Sequence, residues 1–242
     1  MAASLRDIPT IDSAELKELT DKLITACHIL DHEGVTDGYG HVGARVPGAD
    51  AFITIANISP GAVTRERLIM QDFAGNHLDG AATPPNEWPI HACIFKARPE
   101  IVSVAHTHSK WSTIFSVLPI KLKPLHHYGK FLSADGPPVY QGVGLVRTLE
   151  RGDDLAAALG NGPAVLMRAH GDAVVGESIE QMIERTTRLA MLGEWNHLAL
   201  LHGQPKYLSA EELEVYNADQ RFPLRGWEYF VGRLSRTRNQ LE

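Results

Sequence analysis

An apolar run over residues 101–105 ends on Val104-Ala105-His106-Thr107-His108-Ser109. A run this short, starting behind Pro99, predicts a buried strand. Side chains at i and i+2 of an extended backbone leave the same face, so His106 and His108 point together from the strand end. Neutral imidazole is the commonest protein metal ligand, and this pair is placed to grip one divalent ion. A second apolar run, residues 163–167, leads into Met167-Arg168-Ala169-His170-Gly171. Two strands that each deliver histidine at an end constrain the chain to a sheet-based fold, because open α/β sheets bind ligands at such ends. Any one histidine near a strand end is more often structural or surface-exposed. Three together leave coordination positions free for substrate, which separates catalytic from structural metal sites.

The rest of the chain supplies helices and strands in alternation. Asp12 with Glu15 three residues on predicts a capping box. Leu16, Leu19, Leu23, Ile24, Cys27 and Leu30 follow at helical spacing, and Gly34 closes the helix. Residues 38–47 and 52–55 predict two short antiparallel strands with a turn at 48–50, and 68–72 a further strand before the Asp79-Gly80 turn. Pro84-Pro85-Asn86 leads into a helix over about 87–98, stopped by Pro99, and another helix starts at Ser109. Residues 126–146 are loop and strand, 151–159 a helix and 163–167 a central strand, with Val174-Val175 continuing the sheet. A long helix covers 178–201, capped by Ser178 and ended by Gly203. The last forty residues are helical, anchored by Trp227, Tyr229 and Phe230. This intermixing, without repeat or linker, predicts one α/β domain over residues 1–242 with a helical tail over about 209–242.

Composition narrows the function classes. A net charge of −6 argues against nucleic acid as a partner. No run approaches the ~20 apolar residues of a membrane span, and the first residues lack the apolar core of a signal peptide. Cys27 and Cys93 give no disulfide framework and read as small buried hydrophobes. A cytoplasmic protein is the expectation.

Glu87 opens the helix after Pro84-Pro85-Asn86, where an acid is favoured by the helix dipole. Near a metal it would instead serve as general acid/base, its pKa raised by partial burial.

These parts resemble the class II aldolase/adducin superfamily over roughly residues 12–215. The family's order is a Gly-x-Val-Ser-x-Arg strand, a Ser-Ser-Glu helix start, a His-x-His and a His-Gly. The chain has Gly40-His41-Val42-Gly43-Ala44-Arg45, Pro85-Asn86-Glu87-Trp88, His106-Thr107-His108 and His170-Gly171. The resemblance implies a three-layer fold with a central, mainly antiparallel sheet flanked by helices. It implies His106, His108 and His170 as ligands of one divalent ion per subunit, and Glu87 as acid/base. It also implies a homotetramer with active sites near subunit contacts. Three imidazoles with open positions suit Zn2+, Mn2+ or Fe2+.

The departures bear on substrate. The family's sugar-phosphate aldolases hold phosphate with an Asn and a Ser where this chain has His41 and Gly43, and with a Ser-Ser where it has Pro85-Asn86. Donors are missing where a phosphate needs them. Leu125-His126-His127-Tyr128-Gly129-Lys130-Phe131-Leu132, the His170 segment and Arg225-Gly226-Trp227-Glu228-Tyr229 are similar to superfamily members that decarboxylate hydroxylated aromatic acids. That branch implies an aromatic carboxylate substrate, with Glu87 as proton donor and His41 as its rival. Arg45 and Arg168 are candidates to clamp a second carboxylate through forked donors, or else make structural ion pairs. Tyr128 and His127 are candidates to face the substrate. Three other functions compete: a metal-dependent aldolase or dehydratase on a non-phosphorylated hydroxy-keto compound, an Fe-dependent oxygenase, and a non-catalytic adducin-like scaffold.

Overall fold

The computed structural model describes residues 8–218 and 225–241. The expectation of no signal peptide therefore falls on residues 1–7, outside the described residues, as do 219–224 and 242 of the tail. In chain order the strands are β1 (His41–Arg45), β2 (Ala51–Ile55), β3 (Leu68–Asp72), β4 (His77–Asp79), β5 (Ser103–Thr107), β6 (Val139–Tyr140), β7 (Ala164–Met167) and β8 (Gly171–Gly176). They form one sheet in the order β4-β3-β2-β1-β5-β8-β7-β6. β6 pairs with β7 in parallel, and the other pairings are antiparallel.

Every residue of β5 is buried, because helices cover both faces of the sheet there. Val42, Ala44, Ile53, Met70 and Ala105 pack on one face against Leu23, Ala26 and Leu30 of α1 (Lys17–His32) and Met182 and Ile183 of α5 (Ile179–His202). Phe52, Val104, Val165, Ala173 and Val175 pack on the other against α2 (Pro89–Ala97) and α4 (Leu149–Leu159). Phe115 of α3 (Lys110–Val117) joins Leu189 and Leu192 of α5 over Leu166 and Val174. The expected three layers are thus helix, sheet, helix. Each fully buried large aliphatic or aromatic side chain in these interfaces contributes about 1.5–3 kcal/mol. Among the described residues no helix is long and apolar enough to cross a membrane. Cys27 and Cys93 are both buried.

Several boundaries differ from the sequence expectation for local reasons. The Asp12–Glu15 capping box does not form. Ile11 is buried, its N–H donates to Asp79 Oδ2 over 2.7 Å, and the following residues wind into turns before α1 starts at Lys17. Helix α2 starts at Pro89, whose fixed φ and missing N–H suit a first helical position, so Glu87 lies in the turn just before it. Residues 163–167 do not form a central strand: β7 lies one place from the sheet edge, and β5 takes the centre. Ser178 caps α5 as expected, accepting from Gln181 N–H over 3.1 Å. In the tail, α6 (Ala210–Asn217) precedes α7 (Arg225–Leu241), which docks through buried Phe230 and partly buried Trp227. Tyr229 is 50% exposed and is not an anchor.

Candidate metal centre

Antiparallel pairing sets His41 directly opposite His106 across β1 and β5, on the face covered by α2. His106 is the next-to-last residue of β5, and His108 follows two residues on, just past the strand. His170 arrives from the tight β7–β8 turn, closed by His170 N–H donating to Met167 O over 3.0 Å. Two features tighten that turn. Ala169 takes a left-handed conformation at φ +57°. Gly171 sits so near β5 that a Cβ there would lie 2.0 Å from Thr107 O, which accounts for the glycine in the His-Gly pair. The three rings form a near-equilateral triangle, with centroids 5.0 Å apart for His106–His108, 4.9 Å for His106–His170 and 5.0 Å for His108–His170.

Ligand atoms of Glu87, His106, His108 and His170 all lie within 4.8 Å of one another. The Nε2 atoms of His106, His108 and His170 are buried and have no hydrogen-bond partner among the described residues. For His106 the tautomer follows from geometry. Its Nδ1 lies 2.8 Å from the Asp172 carbonyl oxygen, which only accepts, so Nδ1 carries the proton and Nε2 of the neutral ring is bare. This outer hydrogen bond is how metal-binding histidines are usually oriented. Behind His108, Asp37 Oδ1 lies 3.5 Å from Nδ1. Bare buried imidazole nitrogens beside a carboxylate are what a borderline divalent cation satisfies, so the residues fit Zn2+, Mn2+ or Fe2+.

Glu87 is buried with one oxygen tied and one facing the rings. Oε1 accepts from Val146 N–H over 2.6 Å. Oε2 lies 3.4 Å from His170 Nε2 and 3.7 Å from His106 Nε2. Burial pushes its pKa up, but the neighbouring His170 and His106 and the Val146 N–H outweigh burial and hold it below the ordinary carboxylate range. The direction is thus opposite to the upward shift expected from burial alone.

His41 is buried, with its ring 5.0 Å from that of His106. Its Nδ1 lies 2.6 Å from Nε2 of His91, a residue the sequence reading passed over. His91 was hidden inside the apolar run of α2, and the one sequence signal for it was the bare Gly43. A Cβ on Gly43 would lie 2.7 Å from His91 Nδ1, so the glycine makes room for the ring. Burial holds His41 well below the ordinary imidazole range and His91 at about 3.

Arg45 does not serve as a carboxylate clamp. Its Nε donates to Ile101 O over 2.9 Å, and its Nη2 donates to Arg98 O over 3.1 Å and to Phe95 O. The guanidinium lies over the rings of Phe73 and Phe95, so it satisfies the carbonyls at the end of α2. Tyr128 and His127 are held on the side of α5 and α6. The Arg188 guanidinium lies 3.7 Å over the Tyr128 ring, Trp195 stacks on Tyr128 at 5.9 Å, and Tyr216 lies 5.8 Å from His127. Arg168 is exposed on the β7–β8 turn, its Nε 3.3 Å from Gln141 O. Asp172, also unremarked in the sequence, is buried beside the centre, with its carboxylate accepting from Thr107 Oγ1 over 2.8 Å.

The family described as class II aldolase and adducin N-terminal domain matches residues 21–196. A 3,4-dihydroxyphthalate decarboxylase of Terrabacter sp. (strain DBF63) is 29% identical over 204 residues, covering 78% of this chain and 84% of the relative. A 5-methylthioribulose-1-phosphate/5-deoxyribulose-1-phosphate aldolase of Escherichia coli O45:K1 is 27% identical over 169 residues, covering 69% and 77%. The solved structure of an aldolase II superfamily protein from Pseudomonas syringae superposes with a TM-score of 0.82 at 24% identity, covering 97% of this chain and 98% of that one. Fold, motif order and sequence likeness agree: the chain belongs to the class II aldolase and adducin N-terminal domain family.

Proposed function

We propose that this chain is a divalent-metal-dependent carboxy-lyase acting on a hydroxylated aromatic mono- or dicarboxylic acid. The observation that carries the reading is the convergence of three buried, unpartnered imidazole nitrogens and the Glu87 carboxylate, with ligand atoms all within 4.8 Å of one another. The likeness to a 3,4-dihydroxyphthalate decarboxylase supports the choice of substrate class. His106, His108 and His170 hold the ion. An ion held there would supply Lewis-acid stabilisation of the negative charge that C–C cleavage leaves on the ring. Glu87 takes the hydroxyl proton through Oε2, while Val146 N–H keeps Oε1 fixed. It returns that proton to the ring carbon bearing the carboxylate. CO2 leaves, its bonding electrons stay on the ring and restore aromaticity, and the phenolic oxygen regains a proton from water. Arg168, exposed beside the His170 turn, is the remaining arginine candidate for a second carboxylate.

We assign the working form to a homo-oligomer of four copies with sites near subunit contacts. Val117, the last residue of α3, and Leu118 and Ile120 just past it are exposed. That helix adjoins the His170 turn, where Thr113 Oγ1 donates to His170 O over 3.2 Å and Ser116 Oγ accepts from Ala169 N–H over 3.0 Å. An apolar run bordering the site suits a subunit contact.

Aldol cleavage of a hydroxy-keto compound is the second reading, favoured by the likeness to the E. coli aldolase. An anaerobic assay of protein loaded with Zn2+, Mn2+ or Fe2+ separates the readings. The carboxy-lyase releases CO2 from dihydroxyphthalates without O2. Aldehyde or ketone release from a hydroxy-keto compound, with no CO2 from any hydroxyaromatic acid, would establish the aldolase. A strict need for Fe2+ and O2 would establish an oxygenase.

A further inference from the structure

The metal centre is closed on most sides. The side chain of His106 is fully buried, and those of Glu87 and His170 are 8% and 11% exposed. Exposure rises at His108, to 23%, and again at the neighbouring Asp37, to 57%. The centre therefore opens to solvent past His108. Beside that opening stands Tyr39, its ring centroid 6.1 Å from that of His108 and the two planes 30° apart. At 71% exposure it is barer than Tyr229 or Tyr216.

A lone exposed ring on a protein surface calls for no explanation. This one differs because its backbone is fixed against the centre. The Tyr39 N–H donates to Asp37 Oδ1 over 2.8 Å, and its carbonyl accepts from Thr36 Oγ1 over 2.5 Å. The same Asp37 oxygen lies 3.5 Å from His108 Nδ1. Gly40, at φ +98°, brings the chain so close to β5 that a Cβ there would lie 2.9 Å from His106 O. The loop thus carries an aromatic face to the exposed side of the centre, holds its backbone there and leaves the ring uncovered.

We infer that Tyr39 is a specificity-determining residue, the wall on which the flat ring of an acid bound at the metal centre stacks. Aromatic rings pair in offset arrangements with centroids about 4.5–7 Å apart. A ring entering past His108 meets Tyr39 within that reach. A saturated ring bearing the same carboxylates gains no such pairing, so Tyr39 selects an aromatic acid over an aliphatic one. Its role is to bind and orient, with no part in proton transfer. Only the fate of the bound acid, loss of CO2, rests on the carboxy-lyase reading.

The test is calorimetric titration of the Zn2+-loaded full chain with phthalate and with cis-cyclohexane-1,2-dicarboxylate, which carries the same two carboxylates on a saturated ring. Tyr39→Ala is expected to weaken phthalate binding by about 2–13-fold and to leave the saturated acid nearly unaffected. Tyr39→Phe, which keeps the ring, retains the native preference. Bound Zn2+ and sedimentation, measured in each variant, report on the centre and the assembly separately. Equal losses for both acids, no loss for either, or native protein that does not bind phthalate overturns the inference. So does a change of assembly size in Tyr39→Ala, which assigns the ring to a contact with a second copy. Native protein that shows the ring preference but releases no CO2 from any hydroxyaromatic acid keeps Tyr39 as the aromatic wall and loses the lyase reading. CO2 release without a ring preference does the reverse.

Discussion

Asp172 holds His106 by its backbone and not by its carboxylate. The His106 Nδ1–H donates to the Asp172 carbonyl oxygen over 2.8 Å, while the Asp172 carboxylate accepts from Thr107 Oγ1. A carboxylate that oriented the ring would cost about 10–100-fold in metal affinity when removed. Asp172→Asn is expected to fall short of that loss, whereas His106→Ala exceeds it. Competition with a chromophoric chelator measures both.

Ala169 holds a left-handed conformation, φ +57°, directly before His170. An L-residue other than glycine or asparagine pays about 1–2 kcal/mol there. Ala169→Gly relieves this strain and is expected to leave stability unchanged or raise it by up to ~1 kcal/mol, since part of the gain is offset by glycine's greater freedom in the unfolded chain. Ala169→Val, branched at Cβ, is expected to destabilise by about 1–3 kcal/mol and to loosen metal binding through His170. Urea unfolding of the metal-free protein, read at constant m-value, checks the stability change.

Gly43 and His91 occupy one space. Gly43→Ala sets a methyl 2.7 Å from His91 Nδ1 and is expected to cost about 1–3 kcal/mol, the usual penalty of overpacking. His91→Ala opens a cavity of its own, but the double variant is expected to lose less than the sum of the two single losses. A double-mutant cycle should give a coupling of about 0.5–3 kcal/mol. Strict additivity would show that the two residues do not contend for this space.

The buried histidines make the metal-free protein acid-sensitive. Burial holds His91 at about 3 and His106 at about 4, against an ordinary 6.5. Between these limits the unfolded chain binds protons that the folded chain refuses, so stability falls as pH drops through 6.5 and goes on falling to about 4. Asp172, pushed up to about 6 by burial, acts oppositely, since the folded chain keeps a proton the unfolded chain releases between 3.8 and about 6. With His41 also held well below the ordinary imidazole range, three histidines against one carboxylate give a net loss in acid. Thermal unfolding from about pH 7 to about pH 5 is expected to show a falling midpoint, with a shallower fall in His91→Gln. Added Zn2+ steepens the dependence, because the ion needs neutral imidazoles.

The histidine triad was legible because each of the three stands at the end of an apolar strand, a local pattern that survives in one sequence. Their convergence was not local: it depends on β8 pairing with β5, which only the assembled sheet supplies. His91 was illegible because an imidazole in an apolar helix looks like core, and its role appears only when β1 brings His41 and Gly43 against it. Arg45 misled for the reverse reason. A forked cation near a candidate site suggests a clamp, yet Phe73, Phe95 and the carbonyls ending α2 claim it first. The place of residues 163–167 failed because an apolar run reports burial and not strand order.

In the proposed carboxy-lyase, Glu87 and the three histidines form one metal-dependent site that removes CO2. Protein stripped by chelator is titrated with Zn2+, Mn2+ or Fe2+ under anaerobic conditions, and CO2 release from 3,4-dihydroxyphthalate is followed against bound metal. Release should rise in proportion to bound ion, level off near one ion per chain, and vanish in Glu87→Gln at full metal occupancy. CO2 release that persists without bound metal, or that survives in Glu87→Gln, would contradict the account.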